Sequence, residues 1–432
     1  MQNRISALHF QITERDDMNK PSTVPFPVTK DSPLWFILLV SGITLVMVAI
    51  LSFILIIKRP PRSYQAYLNE IPPDMPAIDV QQYGDLIPGK VYFEMASFAP
   101  DSQNYILEMN HENGAITFAQ QIDGFAMKFE RHTSNLLSYY QMTGSNFKTI
   151  FNPDAFDGIP FATGGDLVLL DDNYQKLTTI SERRGIDLHE LLVLDNGNYV
   201  FFVPDIRPMY KDPTLTCLPS CQILGQTLVE VTPEGEVVFE WNALDYYNRS
   251  DFVMDDMLIW QNTMLYDLTH ANSIDVDSDG NFLVSIRHTS QVLKVDHNTG
   301  DVIWRLGKNG DFTFINDSAN GFSHQHDAHW LPNGHILLFD NGNERTPPVS
   351  RAVEYEIDES NMTATLVWAY RTEDNAFAPN RGSARRLPNG NTLINWVSRQ
   401  PNIQEVTPEG KVVLEITLPE NYASYQADFW GQ

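Results

Sequence analysis

The chain has 432 residues, with 55 Asp and Glu against 29 Lys and Arg and a formal net charge of −26. That length allows one to three domains and a large core. A surface this acidic repels phosphate backbones and anionic lipid, which argues against nucleic acid as a partner. A dianionic nucleotide donor would need a local basic pocket to overcome the same field.

The acidity is not evenly spread, since residues 1–62 hold seven basic against four acidic side chains. Residues 1–33 read as an N-terminal tail. Residues 34–57 (LWFILLVSGITLVMVAILSFILII) are 24 positions without a charge. A helix of that length covers about 36 Å, enough to cross a bilayer with some tilt. The stretch begins too far from Met1 and is too long for a cleaved signal. It is expected to be a single uncleaved transmembrane helix. Arg15, Lys20 and Lys30 lie before it and Lys58, Arg59 and Arg62 after it, so charge leaves the orientation open, and large domains translocate largely regardless of charge. Residues 58–88 are Pro-rich and read as a linker. Further on, Cys217 and Cys221 sit close together in DPTLTCLPSCQ. A local disulfide there would suit an oxidising compartment, with two free thiols as the alternative.

From residue 89 to 432 the pattern is all-β, with short alternating strands split by turns every 8–12 residues. Four stretches align on a turn glycine: HELLVLDNGNYVFF from His189, NSIDVDSDGNFLVS from Asn272, HDAHWLPNGHILLF from His326 and GSARRLPNGNTLIN from Gly382. Each predicts a hairpin. A second hairpin follows each, as in LVEVTPEGEVVFEW and IQEVTPEGKVVLEI, and two less regular units precede them. Four strands per unit and six units predict a six-bladed β-propeller behind the membrane helix, with its first and last parts meeting to close the ring.

The register bears on the histidines. FSHQHDAHWLPNGH (322–335) holds four of the eleven in the chain, which suggests a metal site at first sight. The repeat instead puts His189, Asn272, His326 and Gly382 with Ser383 at equivalent positions, where inner strands of successive blades converge on the channel. His270, two residues before Asn272, would face the same side of a strand. His326 rather than His324 occupies the shared position.

The series HxNS, SxR, QHDA and FDNG, in the stretches DLTHANSIDVDSDGNFLVSIRHTSQ, QHDAHWLPNG and LFDNGN, resembles the bacterial arylsulfate sulfotransferase family. The resemblance covers most of 89–420. It implies a six-bladed propeller acting outside the cytosol, which moves a sulfuryl group from a phenolic sulfate ester to a phenol without a nucleotide donor, metal or other cofactor. By motif it implies His326 as nucleophile, with His270, Asn272, Arg287 and His189 as catalytic partners. Ser383 and His324 are further substrate-binding candidates, although Ser383 stands where the family has threonine. Family members carry a separate dimerising β domain for which residues 1–88 show no pattern, so the oligomeric state is open.

The chemistry is coherent. Sulfuryl transfer, like phosphoryl transfer, spreads charge over equatorial oxygens. A neutral imidazole at His326 would take the group as a sulfohistidine, giving ping-pong kinetics. Arg287 would supply fixed charge and planar donors for the oxygens, and the remaining histidines would add donors. Two other readings stand beside this one. The first is a metal-dependent propeller hydrolase or lactonase, which Arg287 in the same cluster would oppose. The second is a membrane-anchored propeller that only binds a ligand. Asp275-Val-Asp277-Ser-Asp279-Gly280 opens like a calcium loop, but Ile286 stands where the bidentate glutamate belongs.

Overall fold

The four aligned hairpins turn in the same way. Gly197, Gly280, Gly334 and Gly390 take φ of +87°, +86°, +82° and +87°. Each donates its N–H to the carbonyl three residues back, at 2.8 to 3.0 Å. That left-handed position is why glycine recurs there. The computed structural model describes residues 10–12, 71–97, 102–142, 165–182, 185–208, 222–247, 257–260, 263–397 and 399–431. Residues 34–57, Cys217 and Cys221 lie outside them. Among the described residues no helix is long and apolar enough to cross a membrane.

The strands form a six-bladed β-propeller. Blades 2 to 6 each run outward from the channel in chain order. Blade 3, for example, is Leu191–Val193, Tyr199–Pro208, Gln222–Val231 and Val237–Asn242. Blade 5 is His326–Trp330, His335–Asp340, Arg351–Asp358 and Thr363–Tyr370. Blade 1 differs: its innermost strand is Ala427–Trp430, from the end of the chain, paired with Lys90–Ser97 from the beginning. This exchange closes the ring as the sequence predicts. The segment read as a linker also enters the fold, because Asp79–Gln82 pairs with the outer strand of blade 6. Phe10–Ile12 pairs in the same manner with the outer strand of blade 2.

Successive strand residues face opposite neighbours. Val200 and Phe202 pack toward blade 4, while Phe201 and Val203 pack toward blade 2. Ile336 and Leu338 face blade 4, and Leu337 and Phe339 face blade 6. Runs such as YVFF and HILLF are therefore apolar on both faces, with one hydrophobic cluster in each joint between blades. Truncating a buried phenylalanine such as Phe339 to Ala would cost about 3–5 kcal/mol.

Polar clasps repeat as well. The third strand of a blade sends a charged side chain to the next blade: Glu230 to His297 at 2.5 Å, Lys294 to Glu359 at 2.8 Å, Glu354 to Arg386 at 2.6 Å and Glu405 to His111 at 2.5 Å. Glu108 meets Tyr174 of blade 2 in the corresponding place. The acidic turn of blade 4 is a plain hairpin, with Asp277 held by Lys294 at 2.9 Å.

Candidate active site

Asn272, His326 and Ser383 lie buried at the starts of inner strands, and His189 lies buried in the turn just ahead of one. His326 is the most constrained. Its Nδ1 lies 2.8 Å from Oδ1 of Asn341, on the neighbouring strand's exit. Asn341 Nδ2 donates to the carbonyls of Ala378 and Arg381, at 2.8 and 2.9 Å. Both amide protons are thereby committed, so Oδ1 is the end facing His326 and can only accept. Nδ1 must carry the imidazole proton, and Nε2 keeps the lone pair. The Arg381 N–H donates to that lone pair at 3.2 Å. Burial first, then the positive charge of Arg287, holds His326 well below the usual imidazole range. The ring is neutral at pH 7.

Two Asp–His pairs face it. Asp187 Oδ1 lies 2.5 Å from His189 Nδ1, and Asp267 Oδ2 lies 2.6 Å from His270 Nδ1. Each carboxylate, as acceptor, draws a proton onto the Nδ1 that faces it and orients the ring. The strand Thr263–Asp267 runs parallel to the start of Gln222–Val231 and delivers Asp267. His270 then takes φ +50° and turns its ring onto that of His189, with centroids 4.8 Å apart. Gln226 ties the two pairs together: Oε1 accepts from the Thr269 hydroxyl and the Ala271 N–H, and Nε2 reaches Asp187 at 3.5 Å. His270 is held well below its usual range by burial first and then by His189 and Arg287.

Arg287 donates to the Pro379 carbonyl at 3.1 Å, and its charge acts on His326, His270, His288 and His324. Asn272 Nδ2 donates to the Gln325 carbonyl at 2.7 Å and so anchors the peptide leading into His326. The structure thus brings His189, His270, Asn272, Arg287 and His326 together.

The other candidates are placed differently. Ser383 Oγ accepts from the Ala427 N–H at 3.1 Å and donates to the Ala427 carbonyl at 3.4 Å, in the seam that closes blade 1 against blade 6. His324 sits ahead of the blade 5 strand at φ +55°, its ring 6.3 Å from that of His288. Burial, then Arg287 and Lys308, push His324 down to about 3. The four histidines of 322–335 do not converge: His329 turns to the Asp327 carbonyl at 2.9 Å and His335 to Glu354 at 2.6 Å.

Sequence reasoning missed Asp187, Asp267, Asn341 and His288. The two aspartates share a written signal, DLH at 187–189 and DLTH at 267–270. Asn341 belongs to the FDNG motif without a role having been given to it. His288 packs 4.7 Å from His270 and meets the Asp267 carbonyl at 2.8 Å. Among the described residues, Asp267, His270 and His288 offer donor atoms within 4.8 Å of one another, a set suited to a divalent transition metal. Arg287 acts on all three and opposes a cation. Asp327 turns away to Arg385 at 2.6 Å.

The sequence model of the arylsulfotransferase (ASST) family matches residues 150–418, more than half of the chain. No curated protein matches it. Among solved structures it is similar to a protein of unknown function from Bacteroides caccae, with 14% identity and TM-score 0.48 over 80% of this chain and 100% of that one. It is also similar to the periplasmic gluconolactonase of Pseudomonas aeruginosa, with 10% identity and TM-score 0.43 over 79% and 99%. Apo AztD from Citrobacter koseri gives 10% and 0.40 over 79% and 98%. Likenesses this distant carry no functional argument.

Proposed function

The chain belongs to the arylsulfotransferase (ASST) family, and from that premise we propose that it moves a sulfuryl group between phenols through a sulfohistidine at His326. The observation that carries this reading is the fixed tautomer of His326, whose Nε2 lone pair stands beside the charge of Arg287. In the first half-reaction Nε2 displaces the Arg381 amide and attacks sulfur. The sulfur–aryl oxygen bond breaks, and the phenolate leaves with the electron pair and takes a proton from solvent. In the second, Nε2 of His270 accepts the proton of an acceptor phenol. The phenol oxygen attacks sulfur, and the S–N pair returns to His326. His270, held well below its usual range, releases that proton to solvent, so the proton given up by the acceptor matches the one taken by the departing phenolate. The Asp267–His270 pair thus serves as the base, a change from the donor role expected of it.

The test is to incubate the full chain in detergent with a chromogenic aryl sulfate, with and without a phenol. Sulfated His326, found by mass spectrometry and lost with turnover in His326→Ala, supports the proposal. Turnover undiminished in that variant overturns it. The Asp267, His270 and His288 set supports a second reading, a metal-dependent hydrolase. Stoichiometric zinc or iron in purified protein, with activity lost to a chelator, would favour that reading instead.

Residues 34–57 would anchor the propeller outside the cytosol, with Cys217 and Cys221 disulfide-bonded there. A single crossing and the pairing of Phe10–Ile12 with blade 2 exclude one another within one molecule, since the first separates the tail from the propeller. Protease access to tags at the two ends of the chain in intact cells decides between them, and thiol labelling with and without reductant reads the cysteines.

A further inference from the structure

Tyr425 lies between the two short segments that close the ring, Tyr422–Ala423 and Ala427–Trp430, both paired with Lys90–Ser97. It is pinned on both sides. Its backbone N–H donates to Glu94, and its carbonyl accepts from the Gly382 N–H at 3.2 Å. Next to it, the Ser424 hydroxyl donates to the Gln426 carbonyl at 2.6 Å. The ring is buried and stands edge-on to two site histidines, 5.8 Å from His189 and 6.5 Å from His326 between centroids. The phenolic oxygen is buried and, among the described residues, has no hydrogen-bond partner. A buried polar group left so destabilises the fold, and folding alone gives no reason to keep it, since phenylalanine would fill the same space.

The site needs donors that its histidines do not supply. A sulfuryl group presents three oxygens. His189 and His270 each spend one ring nitrogen on Asp187 and Asp267. His326 gives its N–H to Asn341. Arg287 and Arg381 bring positive charge to the cluster, the first acting on His326 and the second on Tyr425, and the Tyr425 ring, its centroid 6.5 Å from that of His326, brings a neutral O–H donor into the same neighbourhood. Burial, with Glu190, Asp187 and Asp327 next in order, pushes the Tyr425 phenol well above its ordinary value, so it keeps its proton throughout.

We infer that Tyr425 is a further catalytic residue, whose phenolic O–H donates a hydrogen bond to a sulfuryl oxygen while the group is carried by His326. The inference rests on the sulfuryl-transfer reading. It involves no proton transfer: the bond strengthens as charge builds on the oxygens and relaxes when the group departs.

Tyr425→Phe in the full chain tests it, with kcat and KM for donor and acceptor, the single-turnover rate of His326 sulfation, and thermal unfolding. The expected result is a loss of about 100-fold in kcat and in the sulfation rate. KM should change little and Tm should be unchanged or higher, because an unpartnered hydroxyl has been removed. A kcat within threefold of wild type overturns the role of Tyr425, while loss of activity in His326→Ala alongside it leaves sulfuryl transfer standing. A lowered Tm would show that the hydroxyl serves the fold, and would overturn the inference as well. If His326→Ala is also fully active, the parent reading is the one that fails.

Discussion

Asn341 takes the Nδ1 proton of His326 at 2.8 Å while giving its own two amide protons to the carbonyls of Ala378 and Arg381. The relationship is one-directional, because nothing else in the amide can face the ring. It acts on the reaction through the tautomer, which makes Asn341 a positioning residue. Asn341→Ala should lower kcat by on the order of 100-fold, with donor KM less affected. Nitrogen-resolved NMR of His326 should show the proton no longer confined to Nδ1. Full activity with a mixed tautomer would break the link.

The pH dependence follows from the same burial. His326 is held well below the usual imidazole value, by burial first and then by Arg287. A lowered pKa means that the neutral, nucleophilic ring persists as pH falls past about 6.5, the unperturbed value. The acid limb of kcat/KM should therefore lie below pH 6.5, and activity should be flat from there to neutrality. An acid limb at or above 6.5 would contradict the placement of His326 as nucleophile.

Asp267→Asn separates base from bystander. The amide cannot hold His270 as an ionised carboxylate does, and it can present N–H where the ring needs an acceptor. Transfer should fall by on the order of 100- to 10,000-fold, most steeply for weakly acidic acceptor phenols, whose proton is hardest to remove. Equal losses across acceptors would assign Asp267 to the fold.

These residues show what could be read from the chain. The turn glycines and doubly apolar strands repeat, so the blade count and the convergence of His189, Asn272 and His326 were legible from spacing. His270 was placed only by its nearness to Asn272; what seats it is a left-handed φ and a carboxylate three residues away. Asn341 and Tyr425 were not legible, because an asparagine after a strand and a buried tyrosine are common. Their meaning lies in hydrogen bonds made, or left unmade, to residues from other blades. Ser383 shows the opposite case: its register is that of a site residue, but its hydroxyl holds Ala427 in the closing seam.

The clasps between blades should not contribute equally to stability. His111 and Glu405 join blade 1 to blade 6 at 2.5 Å, with both side chains fully buried. The other ring nitrogen of His111 meets the Ile87 carbonyl at 2.7 Å, and the ring packs edge-on to Phe429 at 5.0 Å. Replacing His111 with Ala leaves the Glu405 carboxyl buried, with Asn391 its remaining side-chain partner among the described residues. Leaving a buried acceptor without its partner costs about 1–3 kcal/mol. His297 makes the equivalent contact to Glu230 at 2.5 Å, but its side chain is 31% exposed. Water can replace it there, and His297→Ala should cost about 1 kcal/mol or less. Urea unfolding of the two variants measures the difference. The His111 variant should show the larger drop in midpoint, and because its clasp spans the joint where the ends of the chain meet, also a broader transition as the ring opens first at blade 1. Equal losses would mean that burial does not set the strength of these clasps.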